Sequence, residues 1–178
     1  MLRITFMNSN IKKISESYDP NKVEWRRYKD PSCKEFKIDF DYSLLGYDIE
    51  SCRLDMLLRY HKGKSHCRRH RHVASTLTLV LEGEQHITEL CADGSKIFIH
   101  RKKGDYALAH SDALPHFEHG GDKGGVVLLS MHAIDGILFE YFDENMKNGW
   151  TVSIEDYVES WNAGTTYGDK LGMSSNNE

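Results

Sequence analysis

Two histidines in the segment CRRHRH could bind a metal ion, because His70 and His72 are two residues apart. In a strand both imidazoles leave the same face, with α-carbons about 7 Å apart, whereas in a helix they point about 200° apart. A third histidine, His116, follows in ALPHFEH and completes a set of three nitrogen ligands. Neutral imidazoles suit iron, zinc, nickel or copper, and not magnesium or calcium. The alternative interpretation is a solvent-exposed strand, since three arginines flank the HxH pair.

Alternating apolar residues predict the strands that must position these histidines. In RLDMLLRY, for example, Leu54, Met56 and Leu58 share one face, which is the period of a half-buried strand. Further strands are predicted in KEFKIDFD, STLTLVLEGEQHITEL, KIFIHRK, YALAH, GVVLLSMHA and GILFEYF, separated mostly by turns that contain glycine. Many short antiparallel strands bury their apolar faces in a sandwich or a small barrel, so the predicted fold class is all-β.

One helix is predicted near the C-terminal end, where Ser153 and Asp156 have the spacing of a capping box. Apolar residues then recur at helical spacing and form one stripe that faces the sheets. The stripe consists of Ile154, Tyr157, Val158 and Trp161. We therefore divide the chain into an N-terminal extension (1–33), a barrel (34–145), a C-terminal helical segment (146–171) and a flexible tail (172–178).

Length and charge exclude several classes of function. The chain has 178 residues, enough for one domain, and 23 basic against 27 acidic residues give a net charge of -4. This charge has the wrong sign for binding nucleic acid phosphates. No apolar run is long enough to cross a membrane and no secretory signal is recognised, so we expect a cytoplasmic protein. Four cysteines without a CxxC pair fit reduced thiols in that compartment.

The stretches around the three histidines resemble the two sequence motifs of the cupin superfamily. GKSHCRRHRHVASTLTLVLEGE, which begins at Gly63, resembles the first motif, in which a glycine is followed by HxH, a glutamate and a second glycine. GDYALAHSDALPHFEHG, which begins at Gly104, resembles the second, with a GD turn that leads to PH. The resemblance implies a double-stranded β-helix, the jelly-roll barrel of the cupins.

By the same resemblance His70, His72 and His116 take the metal-ligand positions, and Thr76 stands where the family has its glutamate. Within the superfamily the chain is most similar to 2,4'-dihydroxyacetophenone dioxygenase-like cupins and, more distantly, to acetylacetone dioxygenase. In those groups three histidines hold iron without a carboxylate. The chain is also similar to the cupin domain of ChrR-type zinc anti-sigma factors. The resemblance thus implies either an iron enzyme or a zinc-binding module.

Three neutral histidines do not offset the positive charge of a divalent ion, so such a site favours an anionic ligand that does. Up to three coordination positions stay open, enough for the two oxygens of an enolate together with dioxygen. We therefore expect an iron(II) dioxygenase that cleaves a carbon–carbon bond of a small keto-enol or hydroxyketone. The alternatives are a zinc-binding sensor or ligand-binding cupin without turnover, and a lyase or isomerase that uses zinc or nickel as a Lewis acid.

Three further residues are candidate catalytic groups. Thr76 shares the parity of the HxH pair and could hold a water or a substrate oxygen, although threonine is also an ordinary strand former. Glu118 shares parity with His116 and could be a fourth ligand or orient one, the alternative being a surface ion pair. His110 could reach the mouth of the cavity as an acid–base group. We expect His119 to point away from His116 and the other histidines to lie on the surface or in the core.

An apolar face on the longest predicted strand suggests self-association. Leu77, Leu79 and Leu81 lie opposite the inward-facing threonines. Such a face needs cover, either from the N-terminal segment around Trp25 and Tyr28 or from a second copy of the chain. We expect a homodimer, which the cupin resemblance also implies.

Overall fold

A computed structural model describes residues 19–63, 65–143 and 145–164, and within these ranges the chain forms ten strands and one helix. The strands are β1 (Arg26–Asp30), β2 (Ile38–Asp48), β3 (Arg53–Tyr60), β4 (His70–His72), β5 (Ser75–Leu90), β6 (Lys96–Lys102), β7 (Tyr106–Ala109), β8 (His116–His132), β9 (Ile137–Tyr141) and β10 (Trp150–Ser153), and the helix is α1 (Ile154–Asn162). The predicted all-β fold with a C-terminal helix is confirmed. The predicted tail (172–178) and residues 1–18 of the predicted extension lie outside the described residues, and the domain boundaries stay a prediction.

Strands β5 and β8 each run through both of two facing sheets. The C-terminal half of β8 pairs with β3 and with the first half of β5, which also pairs with β7. The N-terminal half of β8 pairs with β4 and with the second half of β5, which also pairs with β6. Strands β1 and β2 extend the first sheet beyond β3, and β9 and β10 extend the second beyond β4. All these pairs are antiparallel, and the curled arrangement is a jelly roll.

An irregularity in β5 reverses which of its side chains face the interior. Thr76 and Val80 are buried before it, whereas Gln85 is buried after it. The register of β5 against β8 shifts twice between Val80 and Gln85, as at a β-bulge. Gly83 lies in this segment with a φ of +62°, and a Cβ there would be 2.3 Å from the carbonyl oxygen of Gly124. This close crossing of two backbones therefore requires glycine.

Helix α1 packs against β2 and β10. The Ser153 hydroxyl accepts the N–H of Asp156, whose carboxylate accepts the N–H of Ser153, so the predicted capping box is confirmed. The predicted apolar stripe is buried, and the rings of Tyr157 and Trp161 meet Tyr42 of β2 edge-on. Among the described residues, no helix has the length and apolar character needed to span a membrane.

The outer apolar face of β5 continues onto β7. Tyr106 and Leu108 are the cross-strand partners of Leu79 and Leu77, and they are 60% and 57% exposed. Trp25 lies instead beside β3, under an arginine side chain. Trp25 therefore does not cover this face, and the homodimer stays a prediction.

Candidate metal centre

Pairing between β4 and β8 brings the three predicted metal ligands together. His70 and His116 are directly opposite each other, and His72 lies two residues along β4 from His70. The ring centroids are 4.5 Å apart for His70 and His116, and 5.2 Å apart for each of the other two pairs. All three rings are buried, and one nitrogen from each lies within 4.8 Å of the others. β4 is thus a strand, as the metal interpretation of the HxH pair requires.

Hydrogen bonds to backbone carbonyls set the tautomers of two of the imidazoles. Nδ1 of His70 is 2.7 Å from the carbonyl oxygen of Arg68, and Nδ1 of His116 is 2.9 Å from that of Leu114. A carbonyl oxygen only accepts hydrogen bonds, so the proton of each ring lies on Nδ1. Nε2 is then left unprotonated, which is the form in which imidazole binds a metal ion.

Thr76 sets the tautomer of the third imidazole. Its hydroxyl donates to the carbonyl oxygen of Ala74 at 3.0 Å, so its oxygen accepts the Nδ1–H of His72 at 2.8 Å. His72 therefore also presents an unprotonated Nε2. The residue at the position of the family's glutamate thus contacts a ligand and orients it. The predicted role of Thr76 toward substrate stays a prediction.

The distance between two of the Nε2 atoms tests whether a metal ion fits the cluster. Those of His70 and His72 are 3.2 Å apart, and in this tautomer neither carries a proton to share. Two lone pairs at this distance repel each other unless a cation lies between them. Two imidazole nitrogens that bind one ion at about 2.1 Å, at angles from about 90° to 109°, are separated by about 3.0–3.4 Å. The spacing and the donor set therefore fit one divalent transition metal ion.

Burial keeps the imidazoles of His70 and His72 neutral. Desolvation, reinforced by the neighbouring His116, lowers the pKa of His70 to about 4. Burial and the charges of His70 and His116 lower the pKa of His72 well below its ordinary value. Both rings are therefore deprotonated at neutral pH and can bind a metal ion without first losing a proton.

Glu118 contributes a buried carboxylate beside the cluster. Its Oε1 lies 4.0 Å from Nε2 of His70, and its Oε2 accepts a hydrogen bond from the Gln85 amide at 2.7 Å. Burial opposes ionisation of Glu118, but the adjoining imidazoles and the hydrogen bonds from Tyr60 and Gln85 lower its pKa below the ordinary value. Parity with His116 predicted that Glu118 faces the interior, and the structure places it there. Its role as a ligand stays a prediction.

Gln85 and Arg101 join this network, although the sequence pattern did not single them out. Gln85 is 1% exposed, and its amide oxygen accepts a hydrogen bond from Arg101 of β6 at 3.1 Å. The positive charge of Arg101 also lowers the pKa of His72, after burial and the other imidazoles. The sequence pattern does not distinguish Gln85 from its polar neighbours Glu84 and His86 in β5, and the bulge in this strand hides the inward orientation of Gln85.

A small cavity adjoins the cluster on the side of α1. It has a volume of about 20 Å³ and is lined mainly by apolar and aromatic side chains, among them Tyr157, together with Arg68, His70 and Glu118. This volume holds about one water molecule. The cavity is therefore too small to hold an organic substrate.

The remaining predicted residues lie farther from the cluster. His110 is exposed directly after β7, and among the described residues no hydrogen bond joins it to the three histidines, so its acid–base role stays a prediction. His119 points outward, as predicted, and its ring stacks on that of His86 at 4.9 Å.

Comparison with known proteins identifies similar structures. No protein-family model and no curated protein sequence matches the chain. Among solved structures, a proposed acetylacetone dioxygenase of Methylibium petroleiphilum PM1 is similar with a TM-score of 0.59 and 18% identity, covering 84% of this chain and 96% of that one. A variant of Bacillus subtilis oxalate decarboxylase is similar with a TM-score of 0.50 and 15% identity, covering 89% of this chain and 39% of that one. At these identities the similarity establishes the fold.

Proposed function

From the cupin fold that the chain shares with both proteins, we propose that it is an iron(II)-dependent dioxygenase. Its substrate is a small keto-enol or hydroxyketone, of which it cleaves a carbon–carbon bond. The observation that carries the proposal is the set of three buried Nε2 acceptors, each held unprotonated by a hydrogen bond at Nδ1. The dioxygenase name of one structural neighbour supports the reaction type.

Charge around the cluster favours an anionic substrate. A divalent ion and Arg101 together bring three positive charges, and the ionised Glu118 removes one, so the site keeps a net positive charge. An enolate, with a negative charge shared between two oxygens, complements this charge and can chelate an ion. When bound, iron(II) would supply dioxygen activation and lower the pKa of the substrate's acidic proton.

The protein's own residues hold and shield the ligands. Thr76 keeps the His72 ring in one tautomer, while Phe139 of β9 packs edge-on against His70 and His72. The cavity behind the rings admits about one water, so bulk solvent is excluded from that side. Preorganised ligands that are buried in this way lose little free energy to rearrangement when substrate binds.

We also propose a cytoplasmic homodimer. Four cysteines without a disulfide fit a reducing compartment. The exposed side chains of Tyr106 and Leu108 supply an apolar surface for a second copy.

Metal analysis followed by oxygen uptake tests the proposed reaction. The full chain is purified without chelator, its metals are measured, and apoprotein is reloaded anaerobically with iron(II) or with zinc(II). We expect the iron form to consume oxygen with β-diketones or hydroxyacetophenones and the zinc form to consume none. His72→Ala should lose the metal ion of the buried cluster and the activity and keep its fold, because it deletes one of the three buried ligands.

His132→Ala is the matched control, since His132 is exposed at the end of β8 and should keep parental activity. Iron-loaded protein that binds these compounds but consumes no oxygen would refute the dioxygenase. Turnover by the zinc form without oxygen would instead indicate a lyase or isomerase. Zinc retention with no turnover of any kind would indicate a sensor or a binding protein.

A further inference from the structure

A row of histidines crosses the outer surface of the second sheet. His86 of β5 is paired directly with His100 of β6 on one side and with His119 of β8 on the other. His66 continues the row beyond His119 through an isolated bridge. Ring centroids of successive members are 4.2, 4.9 and 4.6 Å apart. The row lies on the opposite face of β5 from Gln85, so it is separate from the buried cluster.

Glu84 stands at the end of this row where two of the imidazoles are partly exposed. Its Oε2 is 3.0 Å from Nε2 of His86 and 3.3 Å from Nε2 of His100. The three side chains together present three potential ligand atoms within 4.8 Å of one another. Two imidazoles and one carboxylate are the donor set of many open zinc sites, in which water takes the fourth position.

The backbone next to Glu84 leaves room for this arrangement. A Cβ on Gly121 of β8 would lie 2.6 Å from Oε2 of Glu84 and 3.2 Å from its Cβ. Any larger residue at position 121 would therefore displace the carboxylate from the two histidines. Glycine at position 121 thus leaves the space in which the Glu84 carboxylate meets both rings.

We propose that Glu84, His86 and His100 form a second metal site, which binds zinc(II) or a similar late first-row divalent ion on the protein surface. The rings of His86 and His100 are stacked with planes only 15° apart, so one must rotate about χ2 for both nitrogens to bind the same ion. Their side chains are 33% and 43% exposed, which leaves space for that rotation. Lys102, the cross-strand partner of Glu84, is exposed and its charge is screened by solvent.

A metal ion at this position would cross-link β5 and β6, because its ligands come from both strands. The two strands form a hairpin whose outer residues are exposed, and β6 pairs only with β5 within the described chain. Binding to the folded chain stabilises it in proportion to the logarithm of the metal concentration over Kd. Zinc should therefore raise the melting temperature through this site even when the buried site is disabled.

Zinc titration of the full chain against a chromophoric chelator tests the proposal. We expect two zinc ions per chain in the parent, one in His100→Gln, one in His72→Ala and none in the double variant. Glu84→Gln keeps the size of the side chain and removes its charge, so zinc binding at the outer site should weaken at least about 10-fold, the loss seen even for outer partners of metal ligands. His132→Gln, which removes an exposed histidine outside the row, should keep both ions.

Circular dichroism and thermal melts establish that each variant is folded. In the His72→Ala background, zinc should raise the melting temperature, and the additional His100→Gln change should abolish that rise. If His72→Ala loses zinc while His100→Gln and Glu84→Gln bind as much zinc as the parent, the surface site is refuted. If His100→Gln loses zinc while His72→Ala binds as much zinc as the parent, the buried site is refuted and the surface site is supported.

Discussion

Replacing Thr76 by valine tests whether the threonine sets the tautomer of His72. Valine has nearly the same shape but no hydroxyl, so the buried Nδ1–H of His72 loses the acceptor that lies 2.8 Å away. A buried donor without a partner costs about 1–3 kcal/mol. His72 avoids this cost by moving its proton to Nε2, where it blocks metal binding. Metal affinity should therefore fall about 10–100-fold, or about 1.4–2.8 kcal/mol.

The affinity is measured by anaerobic chelator competition in a His100→Gln background, so that the surface site does not contribute. Thr76→Ser keeps the hydroxyl and should bind metal like the parent. Thr78→Val removes another buried threonine hydroxyl of β5, and within the described chain no hydrogen bond joins Thr78 to His72, so it should also bind normally. Equal affinities for Thr76→Val and the parent would show that the hydrogen bond does not control the ligand.

Three further predictions concern stability and assembly. Arg27, acting against burial, holds the pKa of Asp39 far below its usual range, so Asp39→Asn should lower the free energy of unfolding at pH 7. The ionised carboxylate stabilises the fold above its unfolded pKa of about 4, and this stabilisation is lost as pH falls through the lower folded pKa. The difference in free energy of unfolding between the parent and Asp39→Asn, measured by urea titration, should therefore be smaller at pH 3 than at pH 7. Ser153→Ala removes the cap that accepts the Asp156 N–H and should cost about 1 kcal/mol in the same assay; an unchanged urea midpoint would contradict it. Leu108→Glu should convert the expected dimer to monomer in light scattering, and a monomeric parent at micromolar concentration would refute the expectation.

Strands could be predicted from the sequence where alternation is long and turns are marked. β3, β5 and β6 begin and end at the predicted residues. β1 and β10 were not predicted, because RRYKD has little apolar character and WTVS is too short to show a period. Both lie at the ends of the strand order, and within the described ranges each pairs with a single neighbour. Their conformation is therefore specified by that neighbour more than by their own pattern.

The metal-binding histidines could be predicted because local spacing and a motif resemblance agree. The two-residue period of a strand is enough to predict His70 and His72 as a ligand pair, whereas predicting His116 requires the second motif and its order in the chain. Gln85 could not be placed, because parity counted from Thr76 puts position 85 on the outside, and the bulge reverses it. Arg101 could not be predicted either, because its link to the site is the hydrogen bond that it donates to Gln85. Tertiary irregularities of this kind leave no periodic trace in one sequence.

The bulge in β5 also limits the insertions and deletions that this strand tolerates. Gln85 and His86 are neighbours that serve opposite faces of the sheet, one beside the buried carboxylate and one in the surface row. Deleting a single residue such as Leu81 would turn the imidazole inward and the amide outward, because side chains alternate at every step of a strand. Homologous chains are therefore expected to vary in length at the turns between strands and to keep the residue count of this segment constant.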